Sequence, residues 1–179
     1  MAEVPTEEVT QARSPAARVA RSRMGQRLSG FIYGTIIALS VTVAGARAYP
    51  HNSGHIAVLV AVTCAVFWIA HVYAHGLGHS VAHQEHLTLA ELRRIARREG
   101  SIVEAAVLPV AALLLGATNL ASTRFAVWLA LALGLFVLGA EGVVFARVER
   151  LGSLATAAVV IANLGLGLLL VALKLVLTH

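Results

Sequence analysis

Histidines are the residues in this sequence whose spacing points most directly to chemistry. They recur every four residues along one segment, at His71, His75, His79 and His83, and His86 follows. Four residues advance a helix by about 400°, so a continuous helix would carry them as one stripe. Imidazole titrates near neutral pH and binds transition metals. Such a stripe could therefore relay protons, sense pH or hold a metal ion.

Two glycines leave a second interpretation of the histidine segment open. Gly76 and Gly78 are weak helix formers, and a helix that ended there would leave the later histidines in the cytosol. The histidines would then mark an amphiphilic helix end together with Trp68 and Tyr73, aromatic residues that favour the membrane interface. His71 would still lie within the apolar helix, where an ionisable side chain indicates a functional role.

Two carboxylates and one amide fall within apolar stretches of the sequence. Ser101 and Glu104 have the spacing of a helix capping box, which would explain Glu104 structurally; a role in an ion path is the alternative. Glu141 lies inside an apolar run two turns before Arg147, and it indicates function unless it reaches toward that arginine. Asn163 lies near the middle of the last apolar segment, where an amide can bond across helices.

The composition places these residues in a membrane protein. Of the 179 residues, 58% are hydrophobic and only 13% are charged, whereas a soluble domain has about 25% charged residues. The formal charge of +5 could suit nucleic acid, but eleven of the fourteen basic residues fall beside predicted membrane helices, which argues against that partner. Thirteen of the fourteen basic residues are arginine, a bias typical of GC-rich bacterial genomes. Cys64 is the single cysteine, so no intrachain disulfide is possible.

Five segments are long and apolar enough to cross the roughly 30 Å of hydrocarbon in a bilayer. They are 28–48, 55–76, 102–120, 124–146 and 152–177. With the N-terminus inside, eleven arginines lie on the cytoplasmic side and three basic residues on the other, as the positive-inside rule requires. The sequence therefore predicts an all-α integral protein of the inner (plasma) membrane with five spans, N-in and C-out. Residues 1–27 form a basic cytoplasmic tail, and 28–179 a single membrane domain.

A short cytoplasmic amphipathic helix is predicted between spans two and three, within residues 79–100. Thr88 and Glu91 have the spacing of a capping box, and apolar residues recur on one face while arginines occupy the other. Such a helix either lies on anionic lipid headgroups or packs on its own protein. The tail also carries arginines near residues 16–27, which favour a short basic interfacial helix there.

Small residues and one proline predict how the spans pack. Gly30 and Gly34 form a small-xxx-small pair in span one, the pattern that lets membrane helices approach closely. From this pair, and because a five-helix unit has little room for a path of its own, we expect a homo-oligomer with span one or two near the symmetry axis. Pro109 is expected to kink span three, since its ring removes a donor and clashes with the preceding turn.

Short motifs in three spans resemble the endolysosomal potassium-channel family and its bacterial relatives. Residues 27–34, Arg-Leu-Ser-Gly-Phe-Ile-Tyr-Gly, are similar to that family's Arg-x-x-x-Phe-Ser-Asp-Gly, with Ile and Tyr at the Ser and Asp positions. Trp68–His71 resembles its Trp-x-Asn-His, and Leu108-Pro109 resembles its Leu-Pro. The resemblance implies that span one lines a cation pore in an oligomer. The pore-lining residues would be Phe31, Ile36, Ile37 and Leu39.

Two candidate sites follow from these residues. The spans, run in their assigned directions, place His71, His75, Glu104 and Glu141 at one depth, in the cytoplasmic quarter of the membrane. Together with Asn163 these residues predict an ion path or a pH-sensing site. The alternative is a transition-metal site, whose predicted ligands are His71, His75, His79, Glu104 and Glu141.

Three classes of function fit the sequence. We favour an ion-conducting protein, a cation channel or transporter for potassium or protons, with pH sensitivity from the histidine cluster and no cofactor. The alternatives are a metal-binding protein with redox activity and a non-catalytic partner subunit. The sequence has no phosphate-binding loop, no serine or cysteine nucleophile motif and no His-Glu-x-x-His zinc motif, so an enzyme is not indicated.

Overall fold

The chain folds into helices joined by short turns. The computed structural model describes residues 15–83 and 87–177, and the side chains at 15–23, 82–83, 170 and 173–177 lie outside that description. Within these ranges there are seven helices, which confirms the all-α class for this part of the chain. They are α1 (Pro15–Ala48), α2 (Ser53–His83), α3 (Leu89–Arg98), α4 (Ser101–Glu104), α5 (Val107–Ala117), α6 (Thr123–Val148) and α7 (Ser153–Leu177).

Three of the described helices are long and apolar enough to cross a membrane. Their qualifying parts are Met24–Ala48, Ser53–Val81 and Thr123–Val148, which contain the predicted spans one, two and four. A fourth span is present if the bent segment from α3 to α5 is counted as one. Among the described residues, the apolar part of α7 is Ser153–Leu169, which is shorter, so the count of five spans stays a prediction.

The predicted third span is broken between α4 and α5. α4 ends at Glu104 and α5 begins at Val107, and the segment Leu89–Glu104 is bent by 49° from α5. Pro109 accounts for the position of the break, because its ring clashes with the carbonyl group of residue i−4, here Ala105, and offers it no N–H. The disruption predicted at Pro109 therefore occurs one turn earlier.

α1 begins well before its membrane-length part. The basic stretch near residues 16–27, predicted as a separate interfacial helix, is continuous with span one in a single helix that starts at Pro15. Arginine and alanine dominate these first turns and are good helix formers, so nothing in the sequence ends the helix there. Residues 1–14 of the predicted tail lie outside the described residues.

α1 is also the central helix of the bundle. It packs against α2, α4, α6 and α7, and Ile37, Leu39 and Val43 are among its side chains in the core. In lipid, such packing stabilises the fold through van der Waals contact more than through removal of surface from water. The core also contains Ala106, from the break between α4 and α5, and residues of the other helices, among them Ile56, Val60, Cys64, Ala112, Leu113, Val127, Ala130, Leu131 and Leu138.

Glycines bring α1 against the backbone of α4. A Cβ placed on Gly34 would lie 2.5 Å from the carbonyl oxygen of Ile102 and 2.8 Å from its Cα. A Cβ on Gly30 would lie 2.5 Å from Ser101 Oγ. The small-xxx-small pair therefore serves close contact within one chain. It gives no support to the homo-oligomer that the sequence suggested.

The Gly34→Ala variant is expected to destabilise the fold. The added methyl group would overlap backbone atoms of Ile102, which cannot turn away as a side-chain tip can, and overpacking of this kind costs about 1–3 kcal/mol of the free energy of unfolding. Thermal unfolding of the detergent-solubilised protein, followed by circular dichroism, measures the loss. Gly165→Ala is the matched control, because nothing lies within 4 Å of a Cβ there. Equal unfolding temperatures for the two variants would contradict the expected clash.

Candidate functional site

The histidine segment forms one continuous helix. α2 extends through both glycines to His83, so the helix end expected at Gly76 or Gly78 does not occur. Gly76 is buried because the start of α3 and the residues before it pack over it. A Cβ on Gly76 would lie 3.0 Å from Leu87 Cδ2 and 3.7 Å from Leu92 Cδ1. The glycine thus admits a neighbouring helix instead of ending its own.

Three histidines of the four-residue repeat have described side chains. His71 and His79 are half-buried and His75 is exposed, and they follow one another at one-turn spacing. The predicted stripe is therefore present over these three residues. The side chains of His83 and His86 lie outside the described residues.

Two histidines of α2 pair with two glutamates at the two ends of α3, one in its first turn and the other at its C-cap. His75 Nδ1 lies 2.8 Å from Glu99 Oε1, and His79 Nε2 lies 2.9 Å from Glu91 Oε1. An ionised carboxylate only accepts, so each imidazole donates an N–H to it, and each pair becomes an ion pair when its imidazole is protonated. The Glu99 side chain is only 11% exposed. It therefore depends on His75 as the partner that offsets its burial.

Further contacts fasten α3 to α2 on the same face. Trp68 Nε1 donates to the carbonyl oxygen of Ala96 at 2.9 Å, and Ile95 is buried beside it. Thr88 caps the helix by accepting the N–H of Glu91 at 3.3 Å, which confirms the predicted capping residue. The apolar face of the amphipathic helix thus packs on its own protein, one of the two predicted alternatives.

The surroundings of Glu91 favour its charged form. The hydrogen bond from His79 is the main reason that the pKa of Glu91 lies below its usual value; burial opposes this shift, and hydrogen bonds from Thr88 add to it. Arg94 Nη2 also lies 4.0 Å from the carboxylate. Glu91 therefore stays ionised to more acidic pH than a free glutamate does, and it remains an acceptor for His79 there.

His71 contacts α1, where its ring lies 5.0 Å from the ring of Tyr33. Its Nδ1 lies 3.2 Å from the carbonyl oxygen of Phe67, and because a carbonyl only accepts, Nδ1 carries the proton. The ring of His75 lies 6.1 Å away along the helix.

Glu104 forms an ion pair across helices. Arg27 Nη2 donates to Glu104 Oε2 at 3.0 Å, which joins the start of span one to α4. The predicted Ser101–Glu104 capping box is wrong, since the N-cap of α4 is Gly100 and makes no side-chain hydrogen bond. Ser101 Oγ is buried without a hydrogen-bond partner in the described part of the chain, because Ser101 lies against Gly30 of α1.

Glu141 lies in α6, which packs on α7. Its Oε2 is buried and has no hydrogen-bond partner among the described residues. Asn163 of α7 reaches the same level of α6, because its Nδ2 donates to the carbonyl oxygen of Leu138 at 3.3 Å. A Cβ on Gly142 would lie 3.3 Å from that same nitrogen. The expectation that Asn163 bonds across helices is confirmed.

The residues expected to share one site have separate surroundings. His75 is paired with Glu99 and Glu104 with Arg27, while Glu141 lies on α6. In the described ranges, no three His, Cys, Asp or Glu side chains lie close enough to hold a metal ion. Equal depth along packed helices does not bring side chains onto facing surfaces. The structure therefore does not bring together the predicted metal ligands, which are His71, His75, His79, Glu104 and Glu141.

The residues expected to line a pore in span one are largely enclosed within the chain. Leu39 is fully buried and Ile37 is 8% exposed. Leu39 packs against Gly134 of α6, whereas Phe31 and Ile36 are half-buried. In this arrangement the two buried residues offer no surface to an axis between subunits.

The glutamates that pair with the histidines, Glu91 and Glu99, were not among the predicted site residues. A signal for them was present, since Glu91 and Glu99 each lie four residues from Ile95 and so share the apolar face of α3. An acid on the apolar face of an amphipathic helix needs a partner on the surface it covers. The four-residue histidine repeat of the preceding helix provides that partner.

The features that define the candidate site are thus the two histidine–glutamate pairs, the contact between His71 and Tyr33, and the buried oxygen of Glu141. No protein-family model, curated protein or solved structure matches the chain. The chemistry of these residues therefore decides which function is proposed.

Proposed function

We propose that the protein is an ion-conducting membrane protein, a cation channel or transporter for potassium or protons whose conduction responds to pH. It acts in the inner membrane as a homo-oligomer, with five spans, the N-terminus inside and the C-terminus outside. α2 offers a surface for assembly in the membrane, since the apolar residues Val58, Val62 and Val66 are each more than half exposed.

Glu141 is the observation that carries this proposal. It places a carboxyl group in an apolar helix of membrane-spanning length, with Oε2 buried and without a hydrogen-bond partner among the described residues. An ionisable side chain inside a membrane helix is costly, and such groups mark ion and proton pathways. The amide of Asn163 at the same level of α6 adds a second polar group at this depth.

The histidine–glutamate pairs supply the pH response. His75 and His79 hold α3 against the end of α2 through Glu99 and Glu91. Protonation of an imidazole adds the attraction of opposite charges to its hydrogen bond with the carboxylate, and so strengthens the pair. The docking of α3 on α2 therefore varies over the range in which histidine titrates. His71, on the same helix, passes a change in α2 to Tyr33 of span one.

Flux through the purified protein tests the proposal. The chain is reconstituted alone in liposomes, and the uptake of potassium and of protons is measured at two pH values against protein-free liposomes. Cation flux that depends on the protein and differs between the two pH values is the expected result. Flux no greater than in protein-free liposomes for either cation would contradict ion conduction.

The proposed topology places the two termini in different compartments. Eleven of the basic residues fall on one side of five spans and three on the other, and translocation disfavours the more basic side. Reporter fusions at Met1 and at His179 are therefore expected to be active on opposite sides of the membrane. Reporters that are active on the same side would exclude an odd number of spans.

A further inference from the structure

A basic cleft opens between the arginine face of α3 and the start of the membrane-length part of α1. Its volume is about 830 Å³. Arg27 of α1 lines one side, and the described residue Glu104 is the acid within it. The arginines that α3 contributes are Arg93, Arg94, Arg97 and Arg98. Five arginines against one glutamate give the cleft a strong excess of positive charge.

The excess persists because α3 separates its charges by face. Glu91 pairs with His79, and Glu99 with His75, on the face of α3 that packs against α2. Arg94 is still 4.0 Å from Glu91, but Arg93, Arg97 and Arg98 make no hydrogen bond or ion pair with any described residue. The guanidinium groups are thus held near one another on a helix whose other face is fixed.

We infer that this cleft binds the phosphate of an anionic phospholipid headgroup. The guanidinium group offers phosphate oxygens two parallel N–H donors. Several guanidinium groups around one cleft favour a headgroup whose net charge is negative, since no amine offsets the charge of its phosphate. This binding site does not depend on Glu141 or Asn163, on which the proposed ion path rests, although Glu104 was among the residues that the sequence predicted for that path.

The position of the cleft favours a lipid over a free phosphate ion. Arg27 stands only three residues after Met24, where the membrane-length part of α1 begins. Met24 and Leu89 are 48% and 85% exposed on the two helices that form the cleft. A headgroup held by the arginines would therefore have apolar surface beside it for its acyl chains, which a free phosphate ion cannot use.

Lipid selectivity of the full chain tests the site. The protein is reconstituted in phosphatidylcholine bilayers with trace spin-labelled phosphatidylglycerol or spin-labelled phosphatidylcholine, and the motionally restricted fraction of each probe gives their relative association constants. We expect phosphatidylglycerol to be preferred by the wild type. Arg93→Gln/Arg97→Gln is expected to weaken that preference by about fivefold for each arginine. Glu104→Gln is expected to strengthen it, because it removes the acid from the cleft.

A matched double variant separates a specific site from general surface charge. Arg147→Gln/Arg150→Gln removes the same charge from exposed arginines on the same predicted side, outside the cleft, and it is expected to keep the preference. Equal loss in both double variants, or no preference in the wild type, would overturn the site. Inorganic phosphate is added as a competitor. If it displaces the labelled lipid at a concentration equal to that of the lipid phosphate, the site is one for free phosphate and the lipid assignment is overturned.

Discussion

Glu141→Gln is expected to lower cation flux in liposomes by about tenfold or more, which corresponds to about 1.4 kcal/mol in the barrier. The substitution keeps the size of the side chain and removes the ability to carry a negative charge or to exchange a proton. In the structure Oε2 is buried in α6 without a hydrogen-bond partner among the described residues. The substitution therefore breaks no described contact of that oxygen, and a loss of flux reports on the carboxyl chemistry.

Two further variants show whether the charge or the shape matters. Glu141→Asp retains the carboxyl group and is expected to retain part of the flux. Glu149→Gln is the matched control, because it makes the same substitution at an exposed position just after the same helix. Wild-type flux in Glu141→Gln, or the same loss in Glu149→Gln, would remove Glu141 from the ion path. Size-exclusion elution and circular dichroism establish that each variant is folded.

The membrane helices could be predicted because their signal is local. Length and apolar content belong to single segments, and the spans predicted at 28–48, 55–76 and 124–146 lie within helices of membrane-spanning length. The break near Pro109 was also local in origin, since a proline acts on the carbonyl four residues earlier. The end of the described apolar part of α7 at Leu169 leaves the fifth predicted span untested.

The histidine–glutamate pairs could not be placed from the sequence because they depend on how α3 folds back on α2. Local rules left a helix end at Gly76 as one of two alternatives, whereas in the structure the helix continues and Leu87 and Leu92 pack against the glycine. Gly34 likewise packs closely against α4 of its own chain, a neighbour that the sequence did not indicate. A glycine in a helix weakens it locally, but a close neighbour can more than offset that cost, and only the tertiary structure shows the neighbour.

The flux of the wild-type protein is expected to change between about pH 5 and pH 8, the range in which histidine titrates, and the change is expected to need His79. The pair of His79 Nε2 with Glu91 Oε1, 2.9 Å apart, is the link between α2 and α3 that involves the more enclosed imidazole. Arg94, 4.0 Å from Glu91, and the neighbouring pair of His75 with Glu99 are the other described charged groups at this contact.

The direction of the effect on docking follows from the two partners. The ion pair between imidazolium and carboxylate is present only when the imidazole is protonated, so the docking of α3 weakens as the pH rises through the histidine range. The pKa of Glu91 is lowered, chiefly by the hydrogen bond from His79. The contribution of ionised Glu91 to the docking of α3 is therefore fully present above the ordinary glutamate pKa. It is lost only as the pH falls through the lowered pKa of Glu91. Docking should be tightest at mildly acidic pH.

A spin-label pair with one label on α2 and one on α3 measures docking over the same pH range as the flux assay. In the wild type we expect the distance between the labels to lengthen and the flux to change together as the pH rises from about 6 to about 8. His79→Ala and Glu91→Gln should each flatten both curves, because each removes one member of the same charged pair. His55→Ala is the histidine control at the opposite end of α2, where the ring stacks on Tyr49, and it should behave as the wild type does. A His79→Ala curve that superimposes on that of His55→Ala would show that this pair does not set the pH response.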